Sequence, residues 1–260
     1  MRPLQTRSAE MARGEAGIEI RGLTKAYGDL KAVDNLTLSI ERGELFGLLG
    51  PNGSGKTTTI NCLNGLVRPT AGEMTVGGHD VEKEPAQVRA ISGLSPQETA
   101  VYQFLTGREN IELFGELYSV SGGALKTRVD YVIGKVGLAE DAKRRVSTYS
   151  GGTKRRVSIA MALIQDPEFL FLDEPTVAMD PQSRRAVWDF VRELKSRGKT
   201  ILMTTHYMEE AEELCDRVGI IDHGRLIALG TPSELKARHQ AKTLEDVFIG
   251  ITGRAIREGA

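Results

Sequence analysis

The stretch Gly50 to Thr58, which reads GPNGSGKTT, restricts what this chain can become more than any other part of it. It follows an apolar run, Leu45 to Leu49, and precedes Thr57 to Leu66, where Ile60, Leu63 and Leu66 recur at helical spacing. Strand, loop and helix therefore come in the order that sets up a phosphate-binding P-loop. Gly50, Gly53 and Gly55 can take backbone conformations closed to other residues. They turn successive N–H groups inward around a phosphate, at a helix N-terminus that already favours negative charge. Pro51, Asn52, Ser54 and Thr58 complete the loop, Lys56 reaches the outer phosphates, and the Thr57 hydroxyl can ligate Mg²⁺.

Composition acts mainly by exclusion. With 260 residues, 40% hydrophobic and 27% charged, the chain can bury one substantial core, or one core with a subdomain. Lys and Arg number 34 against 35 Asp and Glu, and the net charge of −1 argues against a global attraction to nucleic acid or an anionic membrane. Cys62 and Cys215 stand far apart, which fits a reducing cytosol better than a disulfide framework, and Cys62 is expected as a small buried hydrophobe. No apolar stretch approaches the ~20 residues of a bilayer span. Residues 1–17 mix Arg2, Arg7 and Arg13 with Glu10 and Glu15 and are expected to form a mobile tail.

From Ile18 onward the pattern is strand-like. Ile18 and Ile20, then Leu36, Leu38 and Ile40, alternate as in antiparallel strands with one wet face, and Tyr27 precedes a turn at Gly28 and Asp29. Met74 and Val76 suggest a short strand ending at Gly77 and Gly78; Ile91 to Ser95 suggest another, closed by Pro96 and followed by Gln97. Between Gly107 and Val146 the periodicity turns helical, with Ile111, Phe114, Leu117 and Tyr118 on one face and Val129, Val132, Ile133 and Val136 on another. Ser150 can cap the helix that carries Val157, Ile159, Ala160 and Leu163.

Phe169 to Leu172 is a continuous apolar run, as in a parallel strand covered on both faces, and it delivers Asp173 and Glu174 to the sheet edge where open α/β sheets bind ligands. Asp173 is placed to hold Mg²⁺ through water and Glu174 to orient or deprotonate an attacking water. Asp180 and Pro181 open a helix through Leu194. Ile201 to Met203 form a buried strand ending in Thr204, Thr205 and His206, and Val218 to Ile221 pair with Leu226 to Leu229 across a turn at His223 and Gly224. Capping boxes begin at Thr231 and Thr243.

Over about Ile18 to Gly230 the chain resembles the ATP-binding subunit of an ABC transporter. The resemblance rests on Tyr27, GPNGSGKT, Gln97 in SPQ, YSGGTKRR at Tyr149 to Arg156, FLFLDEPT at Phe169 to Thr176, Asp180 and His206, all in family order. It implies an α/β fold: a P-loop NTPase core with a mostly parallel sheet flanked by helices, an N-terminal antiparallel β subdomain and an inserted α-helical subdomain at about 98–165. The ATP-binding domain is expected at 18–235 and a C-terminal helical extension at 236–260.

The roles implied by the resemblance are specific. Tyr27 would stack on adenine, and Lys56 with the P-loop amides would hold the phosphates of ATP. Thr57 and Gln97 would ligate Mg²⁺ with Asp173 behind, Glu174 would be the catalytic base, and His206 would contact the γ-phosphate. Ser150, Gly151 and Gly152 would close over ATP bound by a second ATP-binding subunit, a copy or a paralogue, with Asp180 at the seam. An integral membrane permease would be the other partner, docking near Gln97 and the insert, so the chain is expected in the cytoplasm, peripheral on the inner face of the membrane. LTGREN at Leu105 to Asn110 and LEDVFIGITGR at Leu244 to Arg254 resemble the branch that exports drugs, polysaccharides or lipids.

The chain departs from the family pattern at Tyr149 and Thr153, which flank the signature glycines, and at Ala178 and Met179, where Gly and Leu are usual. The basic runs Lys143 to Arg145 and Lys154 to Arg156 lack interleaved aromatics, so they are expected to be a solvated face or support for the signature helix, and nucleic acid is not an expected partner. A soluble ABC-type ATPase uncoupled from transport and a nucleotide-holding regulatory module are the rival readings. Glu174 and His206 oppose the latter.

Overall fold

The computed structural model describes residues 16–253; of the tail expected over residues 1–17, residues 1–15 fall outside that range, as does the last position of LEDVFIGITGR, while residues 16 and 17 open a strand and are not tail. In chain order the elements are β1 (Ala16–Tyr27), β2 (Leu30–Glu41), β3 (Leu45–Leu49), α1 (Lys56–Leu63), β4 (Ala71–Val76), β5 (His79–Asp80), α2 (Pro85–Ile91) and β6 (Ser92–Ser95). Three helices follow, α3 (Gly107–Leu117), α4 (Gly122–Lys135) and α5 (Gly151–Leu163). The remainder alternates: β7 (Phe169–Asp173), α6 (Pro181–Ser196), β8 (Thr200–Thr205), α7 (Met208–Leu214), β9 (Arg217–Asp222), β10 (Arg225–Gly230), α8 (Pro232–Arg238) and α9 (Leu244–Thr252).

Two sheets result. One, ordered β2-β1-β4-β5, is antiparallel; the other, ordered β10-β9-β3-β8-β7-β6, is parallel except for the edge strand β10. Successive side chains of a strand point to opposite faces, so the uninterrupted apolar run of β7 serves two cores at once. Phe169 and Phe171 join Ile18, Ile20, Leu38 and Ile40 in the core beneath the antiparallel sheet. Leu170 and Leu172 face the helices and share a core with Val132, Ile159, Val191, Leu244 and Phe248. The central position of β3, between β8 and β9, puts the loop after Leu49 beside the carboxyl ends of β7 and β8.

The structure corrects several sequence expectations. The helix after the P-loop ends at Leu63, not Leu66: Gly65 takes φ +67 and its N–H bonds the Cys62 carbonyl, while the Leu66 N–H bonds that of Asn61. This left-handed cap stops the helix and leaves Leu66 exposed. Ile91 is the last residue of α2, whose only buried side chain is Val88, so neither α2 nor the two-residue β5 carries a periodic signal. On α3 the inward positions are Gly107, Asn110, Ile111 and Gly115, not Leu117 and Tyr118, which are exposed. A side chain at Gly115 would run into Leu125 and Ile164, so the closest packing falls at a residue with no hydropathy to read.

Candidate functional site

A cleft of about 530 Å³ opens where the two sheets meet, and its lining brings together Tyr27, Asn52, Gly53, Gly55, Lys56, Thr57, Thr58, Gln97 and Glu174. Leu30, Lys31, Ala32 and His223 also line it and were not anticipated from the sequence. Tyr27 ends β1 half-exposed at the hairpin turn, with the Lys25 ammonium 4.8 Å from its ring centroid.

The loop between β3 and α1 has the shape that its glycines predict, with one change of cause. Gly53 and Gly55 adopt φ +78 and +107, closed to other residues at no cost only for glycine. Gly50 has no such φ; a Cβ there would instead collide with the Ile221 carbonyl oxygen and the Ser54 hydroxyl. The Ser54 Oγ is buried without a hydrogen-bond partner. An orphaned hydroxyl and amides at a helix N-terminus fit the phosphates of a nucleotide.

Lys56 and Glu174, each 4% exposed, meet at 3.3 Å, and Lys56 Nζ also donates to the carbonyls of Gly50 at 2.8 Å and Pro51 at 3.1 Å. Glu174 gathers two further groups. Gln97 Nε2 donates to its Oε2 at 3.3 Å, and His206 Nδ1 lies 3.3 Å from Oε1, in ion-pair reach but without hydrogen-bond alignment. Burial pushes the Glu174 carboxyl up, but the His206 ring and the Lys56 ammonium outweigh it and hold the group below its ordinary value. Burial in turn pushes Lys56 down against the pull of Glu174.

Thr204, at the end of β8, joins the two carboxylates. Its Oγ1 donates to Asp173 Oδ1 and accepts the Glu174 N–H at 3.0 Å, and its carbonyl accepts the same N–H at 3.2 Å. Glu174 is held there at φ +49, a left-handed backbone uncommon for a non-glycine residue and of the kind stored at functional sites. The Thr57 hydroxyl donates to Gln97 Oε1 at 3.3 Å. Two neutral oxygens this close, with Asp173 and Glu174 behind, are a donor set for a hard, oxygen-loving cation such as Mg²⁺.

Arg155 is the site residue that sequence reasoning missed. It is 3% exposed, and its guanidinium donates to the carbonyls of Pro96, of Asp173 at 2.7 Å and of Glu174 at 2.6 Å. It ties the segment before Gln97 to the strand end bearing both carboxylates. In the sequence it sits inside a basic run, and only its spacing with buried Ser158 and Ile159, three and four positions on along α5, would have hinted at an inward position. The other run, Lys143 to Arg145, is the solvated face expected of it.

Ser150 to Gly152 and Asp180 do not line this cleft. Ser150 Oγ caps α5 by accepting the Thr153 N–H at 3.2 Å, and Asp180 caps α6 by accepting the Ser183 N–H at 2.9 Å. The two turns lie side by side, since a Cβ on Gly152 would rest against Met179. Of the family departures, Tyr149 is buried with its hydroxyl donating to the Asp141 carbonyl, and Thr153 bonds Ser150 within its own turn. Ala178 stands at φ +60, where the usual glycine is unstrained. Ala178→Gly is expected to raise stability by about 0.5–1 kcal/mol, measured as a higher denaturant midpoint at unchanged slope. Neither thiol is a candidate for chemistry: burial pushes Cys62 up to about 11 and Cys215 well above its ordinary value.

The ABC transporter domain model matches residues 33–177. The linearmycin resistance ATP-binding protein of Bacillus subtilis is 46% identical over 227 residues, 87% of this chain and 73% of the relative. The Nod factor export ATP-binding protein I of Paraburkholderia xenovorans is 43% identical over 234 residues, 90% and 77% of the two chains. A dimeric, post-hydrolysis ATP-binding cassette solved with ADP and Pi superimposes with a TM-score of 0.76 at 28% identity, covering 82% of this chain and 98% of that one. The chain therefore belongs to the ABC transporter family, as an ABC-type ATPase that forms the ATP-binding subunit of a transporter.

Proposed function

We propose that this subunit hydrolyses MgATP to drive export through a separate integral membrane permease. The carrying observation is the convergence of Lys56, Gln97 and His206 on one buried carboxylate, each at 3.3 Å. Glu174 takes the proton from an attacking water, and Lys56 with the loop amides steadies the phosphates as charge develops on them. His206 holds the water in line. Tyr27 stacks on the adenine, and Thr57, Gln97 and Asp173 hold the Mg²⁺, which neutralises phosphate charge. Ser150, Gly151 and Gly152 of a second ATP-binding subunit close the site from the other side, with Asp180 at the seam, so that two sites form in a head-to-tail dimer.

Export is favoured by the names of the relatives, which confer linearmycin resistance or export Nod factor. Among the described residues no helix is long and apolar enough to cross a membrane, and in this reading a separate permease supplies the span. Association with it places the subunit at the inner face of the membrane, and the transported substrate is chosen by that partner.

The test is steady-state phosphate release from ATP by the purified chain, with and without EDTA. Release that EDTA abolishes and added Mg²⁺ restores is expected. Release indifferent to EDTA would remove the metal role from Thr57, Gln97 and Asp173, and no release from any nucleoside triphosphate would remove hydrolysis altogether.

A further inference from the structure

Glu210, on α7, is 1% exposed yet touches neither the nucleotide cleft nor Glu174. Its Oε1 accepts from two donors on different elements: the Thr176 hydroxyl at 2.7 Å, in the loop just beyond Glu174, and the Trp188 indole N–H at 2.9 Å, on α6. The Thr205 hydroxyl, next to His206, faces the same carboxyl. A cavity of about 190 Å³ beside it is lined by Arg184, His206, Tyr207, Glu209, Glu210 and Glu245. Three buried polar atoms of that lining, Glu210 Oε2, His206 Nδ1 and Arg184 Nε, have no hydrogen-bond partner.

A buried carboxyl group is costly unless hydrogen bonds compensate it, and here the compensating donors come from separate segments. Thr176 belongs to the loop that leaves Glu174, Trp188 to the helix that Asp180 caps, and Thr205 to the strand end that presents His206. These are the three segments whose mutual placement sets the water-activating geometry. We propose that Glu210 is a positioning residue: it clasps the Thr176 loop, α6 and the His206 segment into one body, so that Glu174 and His206 keep their separation when the site closes. The inference rests on the ATPase reading and adds to it a residue outside the nucleotide cleft.

Trp188 is the chain's only tryptophan, which gives the clasp its own optical reporter. Glu210→Ala is expected to lower kcat about tenfold or more while KM for ATP stays near that of the parent, because misplacement by a fraction of an ångström acts on the chemical step. Glu210→Gln retains the accepting oxygen and is expected to restore kcat. ATP is expected to shift Trp188 emission in the parent and in Glu210→Gln but not in Glu210→Ala. Thr176→Val guards against an alanine variant that fails to fold: it removes one donor at constant shape and is expected to lower kcat several-fold at an unchanged thermal midpoint. Parental kcat in both Glu210→Ala and Thr176→Val overturns the clasp, as does a parental ATP-dependent emission shift in Glu210→Ala. An absence of phosphate release from the parent overturns the ATPase reading and the clasp with it, so the two failures are told apart.

Discussion

Glu174→Gln is expected to lower phosphate release by about 10²–10⁴-fold while ATP still binds. Glutamine keeps the shape and an accepting oxygen for Lys56, but it cannot take a proton from water. His206 and Lys56 outweigh burial and hold the native carboxyl below its ordinary value, which keeps it charged and able to accept a proton. The same variant is expected to accumulate as an ATP-dependent dimer, because the step that reopens the composite site is blocked. Light scattering at saturating ATP measures this directly. Equal phosphate release by parent and variant would sink the assignment of the base, and monomer alone would count against a site completed in trans.

Arg155→Met is expected to cost about 3–5 kcal/mol of stability and to take most of the turnover with it. The guanidinium donates to three carbonyls at once, those of Asp173 and Glu174 buried, and each loses a charged donor when the charge is removed, at roughly 1–3 kcal/mol apiece where no other donor takes its place. Two of those carbonyls belong to Asp173 and Glu174, so relaxation moves the reacting groups. Methionine fills much of the volume, which separates lost hydrogen bonding from a cavity. Urea unfolding checks the first part, and phosphate release under conditions where the variant remains folded checks the second. A variant as stable as the parent would show that water replaces the guanidinium.

What could be read from the sequence was what neighbouring residues determine. Gly50 to Thr58, the Asp173 and Glu174 pair after an apolar run, and the capping boxes at Thr231 and Thr243 are all written within a few positions of one another, and the structure shows the expected loop, strand and caps. Features with a distant partner were not legible. Gly50 is needed because Ile221 comes close, Arg155 is inward because three carbonyls await it, and Gly115 is buried because Leu125 and Ile164 press on α3. A basic run or a lone glycine has the same letters whether its partner is water or another strand. The β5 strand and α2 escaped for a related reason, as two residues and one buried valine carry no period.

The turn at His223 and Gly224 has a bearing on how the chain is made. The Gly224 N–H bonds the Ser54 carbonyl at 3.0 Å, and the Gly224 carbonyl accepts the Asp34 N–H at 2.9 Å, while β9 forms one flank of β3. The phosphate loop is therefore braced by residues synthesised well after it. During translation an N-terminal fragment carries every letter of GPNGSGKTT without the backbone that holds the loop open. The braced shape of the loop therefore waits on the segment around Gly224 joining the fold.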